Sequence, residues 1–219
     1  IQARAMHGGE VTTFEAERVF VGCGVIPSAH LILHSLEAYD IPVEIVDSQY
    51  FIYPFFTFQR ARGVMKERLH GAAQMFIELD DPAVSGHLVH MEVFGYSEFI
   101  RNAMMETPLR YVLRIPGMSE QLFERLFVLQ CFLHSDDSAR LALTLKKGAD
   151  GTPPKLHMHA RHRWRGLPGS LKAGMKLVRH AFALGGVPVI PGLQFAGPGR
   201  SYHSGGTFPM RKQPGSLET

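Results

Sequence analysis

The chain has 219 residues, of which 45% are hydrophobic and 20% are charged, and its formal net charge is +3 with neutral histidines. This composition is typical of a globular chain of one or two domains and excludes a disordered or fibrous protein. No apolar run reaches the roughly 18–20 residues that a membrane span needs. Apart from arginines alternating over residues 161–165, no basic block indicates a nucleic-acid partner.

The two cysteines, Cys23 and Cys131, fit neither a disulfide framework nor a Cys-x-x-Cys metal site. We expect both to be buried or half-buried thiols. The chain starts at Ile1 and ends at Thr219 without features of native ends. We therefore expect a fragment, and no cellular location follows from the sequence.

The first residues predict two paired strands. We expect these strands over 1–6 and 11–22, with a turn at His7-Gly8-Gly9-Glu10 between them. The second strand ends in the apolar run Val19-Phe20-Val21, and such a run before a glycine turn is typical of a strand buried on both faces.

A glycine turn and a helix follow. The turn is Gly22-Cys23-Gly24, and the helix is predicted over Ala29–Tyr39 with Pro27 in its first turn. Backbone N–H groups in such a turn can bind a pyrophosphate. The dinucleotide-binding pattern is incomplete, because Pro27 occupies the position of its third glycine.

The middle of the chain predicts an antiparallel sheet with helices beside it. Alternating apolar residues and short connections indicate the first strands, over Val43–Val46, Gln49–Phe58, Ala73–Leu79 and His87–Tyr96. We expect these to form one sheet. The aromatic string Tyr50–Phe56 either lines a substrate cavity or packs into a core.

The second half continues the same pattern. We predict helices over Glu98–Met105 and Tyr111–Ile115 and from Ser119, then strands over Phe127–His134, Arg140–Lys147 and Leu156–Arg163. A last helix is predicted over Leu171–Leu184, with one apolar face formed by Leu171, Met175, Val178 and Phe182. The fold class is α/β with α+β character: a mixed, largely antiparallel sheet with flanking helices.

One histidine pair has the spacing of metal ligands. His157 and His159 would share a face of the predicted strand, and His162 would lie on the other. Zinc needs a further ligand from elsewhere in the chain. We predict no metal in the functional site, and keep a histidine-based metal hydrolase as an alternative.

The stretch Ser201–Met210 has the features of a ligand site. His203 lies between a Gly-Pro-Gly turn at 197–199 and the pair Gly205-Gly206. Glycines let a backbone approach a flat ligand closely, and an imidazole exchanges protons readily near neutral pH. An ordinary surface loop would have the same composition.

Two segments resemble one enzyme family. Tyr202-His203-x-x-Gly206-Thr207-x-x-Met210 resembles the His-x-x-Gly-Thr-x-x-Met signature of the glucose–methanol–choline oxidoreductases, which are FAD-dependent alcohol and sugar oxidases and dehydrogenases. Residues 18–33 are similar to the family's later FAD-domain segment, a strand followed by a helix. Gly22-Cys23 replaces two alanines there.

The resemblance implies three parts of the chain. Residues 1–40 would be the C-terminal piece of a Rossmann-like FAD-binding domain, 41–195 a substrate-binding domain, and 196–219 the active-site histidine loop. His203 would be the catalytic base, while Gly22, Cys23, Gly24 and Tyr202 would lie near the cofactor.

The expected function is oxidation of the CH–OH group of a small-molecule alcohol or sugar by hydride transfer to FAD. The family's N-terminal Gly-x-Gly-x-x-Gly and its final segment have no counterpart in these residues. We therefore expect the fragment alone to hold FAD weakly and to be inactive. The main alternative is a non-catalytic β-rich binding domain in which His203 is structural.

Overall fold

A computed structural model describes residues 2–4, 11–67, 73–108, 110–149, 151–162 and 164–218. Within them, the strands are β1 (Gln2–Arg4), β2 (Val11–Thr13), β3 (Pro42–Asp47), β4 (Tyr50–Thr57), β5 (Met75–Leu79), β6 (Val89–Phe94), β7 (Leu126–Phe132), β8 (Arg140–Lys146), β9 (Lys155–Arg161), β10 (Gly186–Pro188), β11 (Gln194–Phe195) and β12 (Ser204–Gly205). The helices are α1 (Val25–Ser35), α2 (Glu98–Met105), α3 (Arg110–Leu113), α4 (Met118–Phe123) and α5 (Leu167–His180).

The larger sheet is antiparallel and has the order β10-β4-β7-β6-β5, with β11 also paired to β4. The smaller sheet is antiparallel as well and has the order β12-β3-β8-β9. The mixed fold with antiparallel sheets and a few helices is as predicted. The expectation of one sheet is wrong, because the chain changes sheets between β3 and β4, at Ser48 and Gln49.

Most predicted elements between β3 and α5 are present, and helix α2 has the predicted bounds. The N-terminus of α2 is capped by Ser97, whose hydroxyl accepts the Ile100 N–H at 3.2 Å. Beyond α5, Gly185 has a φ of 80°, a conformation that favours glycine and ends the helical turns there. Local signals of this kind were sufficient to locate the elements.

The segment before α1 differs from its prediction. β2 ends at Thr13, and no strand follows before α1. Val19 is 48% exposed and Phe20 91% exposed, so the prediction of a strand buried on both faces is wrong. A strand needs partners for its backbone groups, and no described strand lies beside this run. The predicted turn over residues 7–10 lies outside the described residues.

Three clusters of buried side chains form the core. The first lies between the larger sheet and α5, the second between α1 and the smaller sheet, and the third among α2, α3 and α4. In the second cluster, Ala29 and Leu33 of α1 pack against Leu143 of β8, and Phe208 from the histidine loop joins them. Elements from all three predicted parts of the chain thus share one cluster, and the boundaries at 40 and 195 stay predictions.

The two cysteines have different environments. Cys131 is buried in the first cluster, as predicted, and burial raises the pKa of its thiol. Cys23 is exposed, so the expectation of burial is wrong there, and the residues on either side of it are exposed as well. None of the described helices has both the length and the apolar character to cross a membrane.

Helix α5 packs on the sheet through its small residues. Its buried side chains include Ala173, Leu177 and, just beyond its end, Ala181. The predicted apolar face, which includes Met175 and Phe182, points outward instead. Small residues allow the helix to approach the sheet closely, and this contact determines which face is buried.

We predict that Ala173→Leu lowers the free energy of unfolding by about 1–3 kcal/mol, because the added carbons overpack a fully buried position. The matched variant Met175→Ala, on the exposed side of the same helix, should change it by less than about 0.5 kcal/mol. Denaturant unfolding measures both values. Equal effects would contradict the orientation of α5.

Candidate functional site

The two faces of the larger sheet have different environments. In β4, Phe51, Tyr53 and Phe55 are buried in the first core cluster, on the side of α5. Tyr50 and Ile52 alternate with them and therefore lie on the opposite face. The aromatic string of the sequence thus contributes to the core and, through its alternate residues, to the wall of a cavity.

Three rows of side chains cross the open face, which we define as the face of the larger sheet opposite α5. The register of β4, β7 and β6 gives the rows Tyr50–Phe132–His90, Ile52–Gln130–Glu92 and Pro54–Val128–Phe94. The first of these rows lies at the end of the sheet beside the histidine loop, and the third lies at the end beside α2.

A cavity of about 450 Å³ lies against the open face. It is lined by Tyr50, Ile52, Phe94, Ser97, Phe99, Ile100, Val128, Gln130 and Tyr202. The lining is largely apolar, with an amide and a few hydroxyl groups as its polar part. Burial, and next the neighbouring Tyr202 hydroxyl, raise the pKa of Tyr50, so this phenol is neutral at physiological pH and can donate a hydrogen bond.

His203 is exposed at the end of the open face that carries Phe132. The two rings pack with centroids 4.6 Å apart, and Phe132 in turn lies 6.1 Å from the ring of Tyr50. Tyr202 packs on Tyr50 at 5.7 Å. His203 and Tyr202, both predicted site residues, therefore adjoin the row of side chains at which the cavity begins.

Asp47 holds the Gly-Pro-Gly turn that precedes His203. This carboxylate is 1% exposed, and its Oδ2 accepts the Gly199 N–H at 2.9 Å. Burial raises its pKa, while the hydrogen bonds from Gly199, Ser201 and Ser48 oppose the rise. Sequence reasoning missed Asp47, because its partner Gly199 is 152 residues away.

The two residues after Asp47 hold the same loop. The Ser48 N–H donates to the His203 carbonyl at 3.2 Å. The Gln49 side chain donates through Nε2 to the Ala196 carbonyl at 3.1 Å, and the Ala196 N–H donates to the Tyr50 carbonyl at 3.0 Å. The segment that changes sheets, residues 47–50, thus binds the histidine loop at three residues, Ala196, Gly199 and His203, and we call it the crossing segment.

The position of Gly206, the glycine of the signature, requires a residue without a side chain. Its φ is 73°, and a Cβ there would lie 2.8 Å from Cγ2 of Val46. Only glycine satisfies both conditions without strain. Phe208, two residues later, has a φ of 57° and packs against the second core cluster, which fixes the far end of the loop.

Gly22, Cys23 and Gly24, the predicted cofactor contacts, are exposed or nearly so, and none of them lines the cavity. Gly24 has a φ of 87° and is the N-cap of α1. The next residue, Val25, packs against the second core cluster, as Phe208 does. Val25, next to the glycine turn, and Phe208 of the histidine loop thus pack against one cluster.

The histidine pair of the metal alternative, His157 and His159, is not part of a ligand cluster among the described residues. His157 and His159 are exposed on β9, and among the described residues no third ligand group accompanies them. A different set of ligand atoms, from His87, His134 and Asp136, lies within 4.8 Å of one another. The rings of His87 and His134 stack with centroids 3.8 Å apart, so one ring would have to turn before both could bind one ion.

Comparison of the chain with protein-family models, with curated proteins and with solved structures finds no match. The family resemblance therefore rests on the residues that carry it, over 18–33 and 202–210.

We predict that Gly206→Ala lowers the free energy of unfolding by at least about 1 kcal/mol, because the left-handed backbone and the contact with Val46 both oppose a side chain. Gly205→Ala is the matched control, since a Cβ there meets no atom within 4 Å. Thermal or denaturant unfolding compares the two variants. Equal stability of both would show that the loop is not held against β3.

We predict that Asp47→Asn becomes increasingly more stable than the wild type as pH rises. Because burial raises the pKa of the carboxyl above its ordinary 3.8, the native state binds more protons than the unfolded state, and wild-type stability falls as pH rises through that interval. The asparagine oxygen can still accept the Gly199 N–H. Denaturant unfolding from about pH 3 to about pH 8 measures the difference.

Asp47→Ala provides the contrast. It removes the acceptor of the Gly199 N–H, so we expect it to be less stable than Asp47→Asn by about 1–3 kcal/mol at every pH. A stability difference between wild type and Asp47→Asn that does not change with pH would contradict the raised pKa.

Proposed function

We propose that the chain is part of an FAD-dependent oxidoreductase that oxidises the CH–OH group of an alcohol or sugar, with His203 as the base. One observation carries the proposal. The loop with the family-like signature holds an exposed imidazole against Phe132, in the row of side chains at which a cavity of about 450 Å³ begins. A ligand-sized cavity beside a group able to accept a proton is the usual arrangement of an active site.

The residues fit FAD in part. Gly22, Cys23 and Gly24 are the residues that would hold it, because their backbone is accessible and a Cβ at Gly22 would meet no atom within 4 Å. The sequence contains no complete Gly-x-Gly-x-x-Gly, so these residues offer close backbone approach and not a full pyrophosphate turn. Tyr202, next to His203 and in the cavity lining, would contact the flavin or the substrate.

FAD, if held by these residues, would supply the acceptor for the hydride that leaves the carbinol carbon. A ring nitrogen of His203 takes the proton of the substrate hydroxyl, which makes that carbon a better hydride donor. The crossing segment fixes the base, because the His203 carbonyl is bound by the Ser48 N–H at 3.2 Å. The cavity walls orient the rest of the substrate and exclude water.

The cavity lining favours an apolar alcohol over a sugar. Side chains of Ile52, Phe94 and Val128 cover the sheet side of the cavity, and Phe99 and Ile100 cover the helix side. A sugar would lose water from several hydroxyl groups there and find few partners, which is costly. Gln130 and the tyrosine hydroxyls provide a small number of polar contacts.

We predict that His203→Ala slows reduction of the bound flavin by an alcohol about 10²- to 10⁴-fold. The test uses the full-length protein that contains this chain, loaded with FAD, and follows the loss of oxidised-flavin absorbance after anaerobic mixing. His157→Ala, an exposed histidine on β9, should react as fast as the wild type.

Two results would contradict the proposal. A protein that holds no flavin would favour the alternative of a binding domain. A flavoprotein in which His203→Ala and His157→Ala react equally fast would remove His203 from the chemistry.

A further inference from the structure

Helix α5 has three distinct faces. Successive residues turn by about 100°, which separates the side chains around the axis. Small residues, among them Ala173 and Gly174, face the sheet and are buried. The remaining surface is divided between large apolar side chains and basic side chains, and neither group takes part in the core.

The apolar face points to solvent. Its side chains are those of Leu171, Met175 and Val178 and, two residues past the end of the helix, Phe182, which are 45%, 63%, 41% and 74% exposed. Phe58, from the loop after β4, extends this face by packing on Phe182 with ring centroids 5.6 Å apart. An exposed apolar stripe this long on a surface helix indicates a site that contacts a membrane or another protein surface.

The basic face lies directly beside the apolar one. It carries Lys172, Lys176, Arg179 and His180, and the sequence of α5 contains no acidic residue. Asp81 forms an ion pair with one of these side chains, because its carboxylate lies 2.6 Å from Nζ of Lys176. Lys172 and Arg179 are exposed.

A groove of about 240 Å³ runs between the two faces and the loop before β6. Its lining combines three apolar residues and three cations: Ala83, Val84, Met175, Lys172, Lys176 and Arg179. A groove lined by both apolar and cationic side chains can bind a lipid at the point where its negatively charged headgroup joins the first carbons of an acyl chain.

We propose that the outer face of α5 is a docking surface for an anionic lipid membrane. Large apolar side chains next to a row of Lys and Arg are the composition of helices that lie in the membrane interface, with the apolar face inserted and the cations among the headgroups. The helix does not span the bilayer; it lies along the surface. A second copy of the chain fits less well, because it would bring two basic surfaces together.

The test measures co-sedimentation of the chain with vesicles of phosphatidylcholine and phosphatidylserine mixed two to one, and with vesicles of phosphatidylcholine alone. We expect binding to the anionic vesicles that weakens as salt is added. Met175→Ser combined with Phe182→Ser should weaken it at least about 30-fold, and Lys172→Ser combined with Arg179→Ser about 10- to 30-fold.

A matched control uses another exposed part of the chain. Lys155→Ser combined with Met158→Ser changes one cation and one large apolar side chain on β9, and should bind vesicles as the wild type does. All altered side chains are exposed or lie at the surface of the helix, and unchanged circular dichroism confirms folding.

Two outcomes would overturn the proposal. The first is a folded wild type that sediments with neither kind of vesicle, or that binds equally well with and without the α5 substitutions. The second is a dimer in solution that Phe182→Ser dissociates and that binds no vesicles, which would assign the face to a second copy.

Discussion

The crossing segment between the two sheets is the constraint on which the candidate site depends. Its hydrogen bonds reach Gly199 in the Gly-Pro-Gly turn, the His203 carbonyl and Ala196 just before the turn, so one stretch of backbone determines where the histidine loop lies. Asp47 is the costly member of this set, because its carboxylate is held away from water. Burial of this carboxylate lowers the stability of the fold while its hydrogen bonds fix the loop, a combination that is common near functional sites.

The same segment explains why the loop meets the sheet at a particular row. Because Tyr50 follows directly, its side chain and that of its neighbour across the ladder, Phe132, lie where the loop arrives. Tyr202 and His203 then pack on these two rings. The crossing segment therefore positions both His203 and the cavity wall. His203 lies at the edge of the smaller sheet, whereas the cavity wall belongs to the larger sheet.

Local patterns in the sequence identified the strands and helices, but not the contacts that assemble them. The alternation in β4 and the turn formers around it are sufficient to locate a strand. Val19-Phe20-Val21 has an equally apolar sequence and forms no strand, since that outcome depends on a partner strand. The pairing of Asp47 with Gly199, and of Val46 with Gly206, joins residues more than 150 positions apart, which no local pattern encodes. In α5 the periodicity revealed an apolar stripe, whereas close packing of small residues decided which face was buried.

The register of the larger sheet has a consequence for how this molecule can vary. Across β4, β6 and β7, the residues of the first core cluster carry odd numbers and the three rows of the open face carry even numbers, while Leu126, at the start of β7, is buried in the third cluster. Parity thus separates folding from recognition in all three strands. A library restricted to the cavity-lining positions Ile52, Phe94, Val128 and Gln130 would sample new cavity shapes while leaving the first core cluster unaltered, so ligand preference can diverge here with the main core conserved.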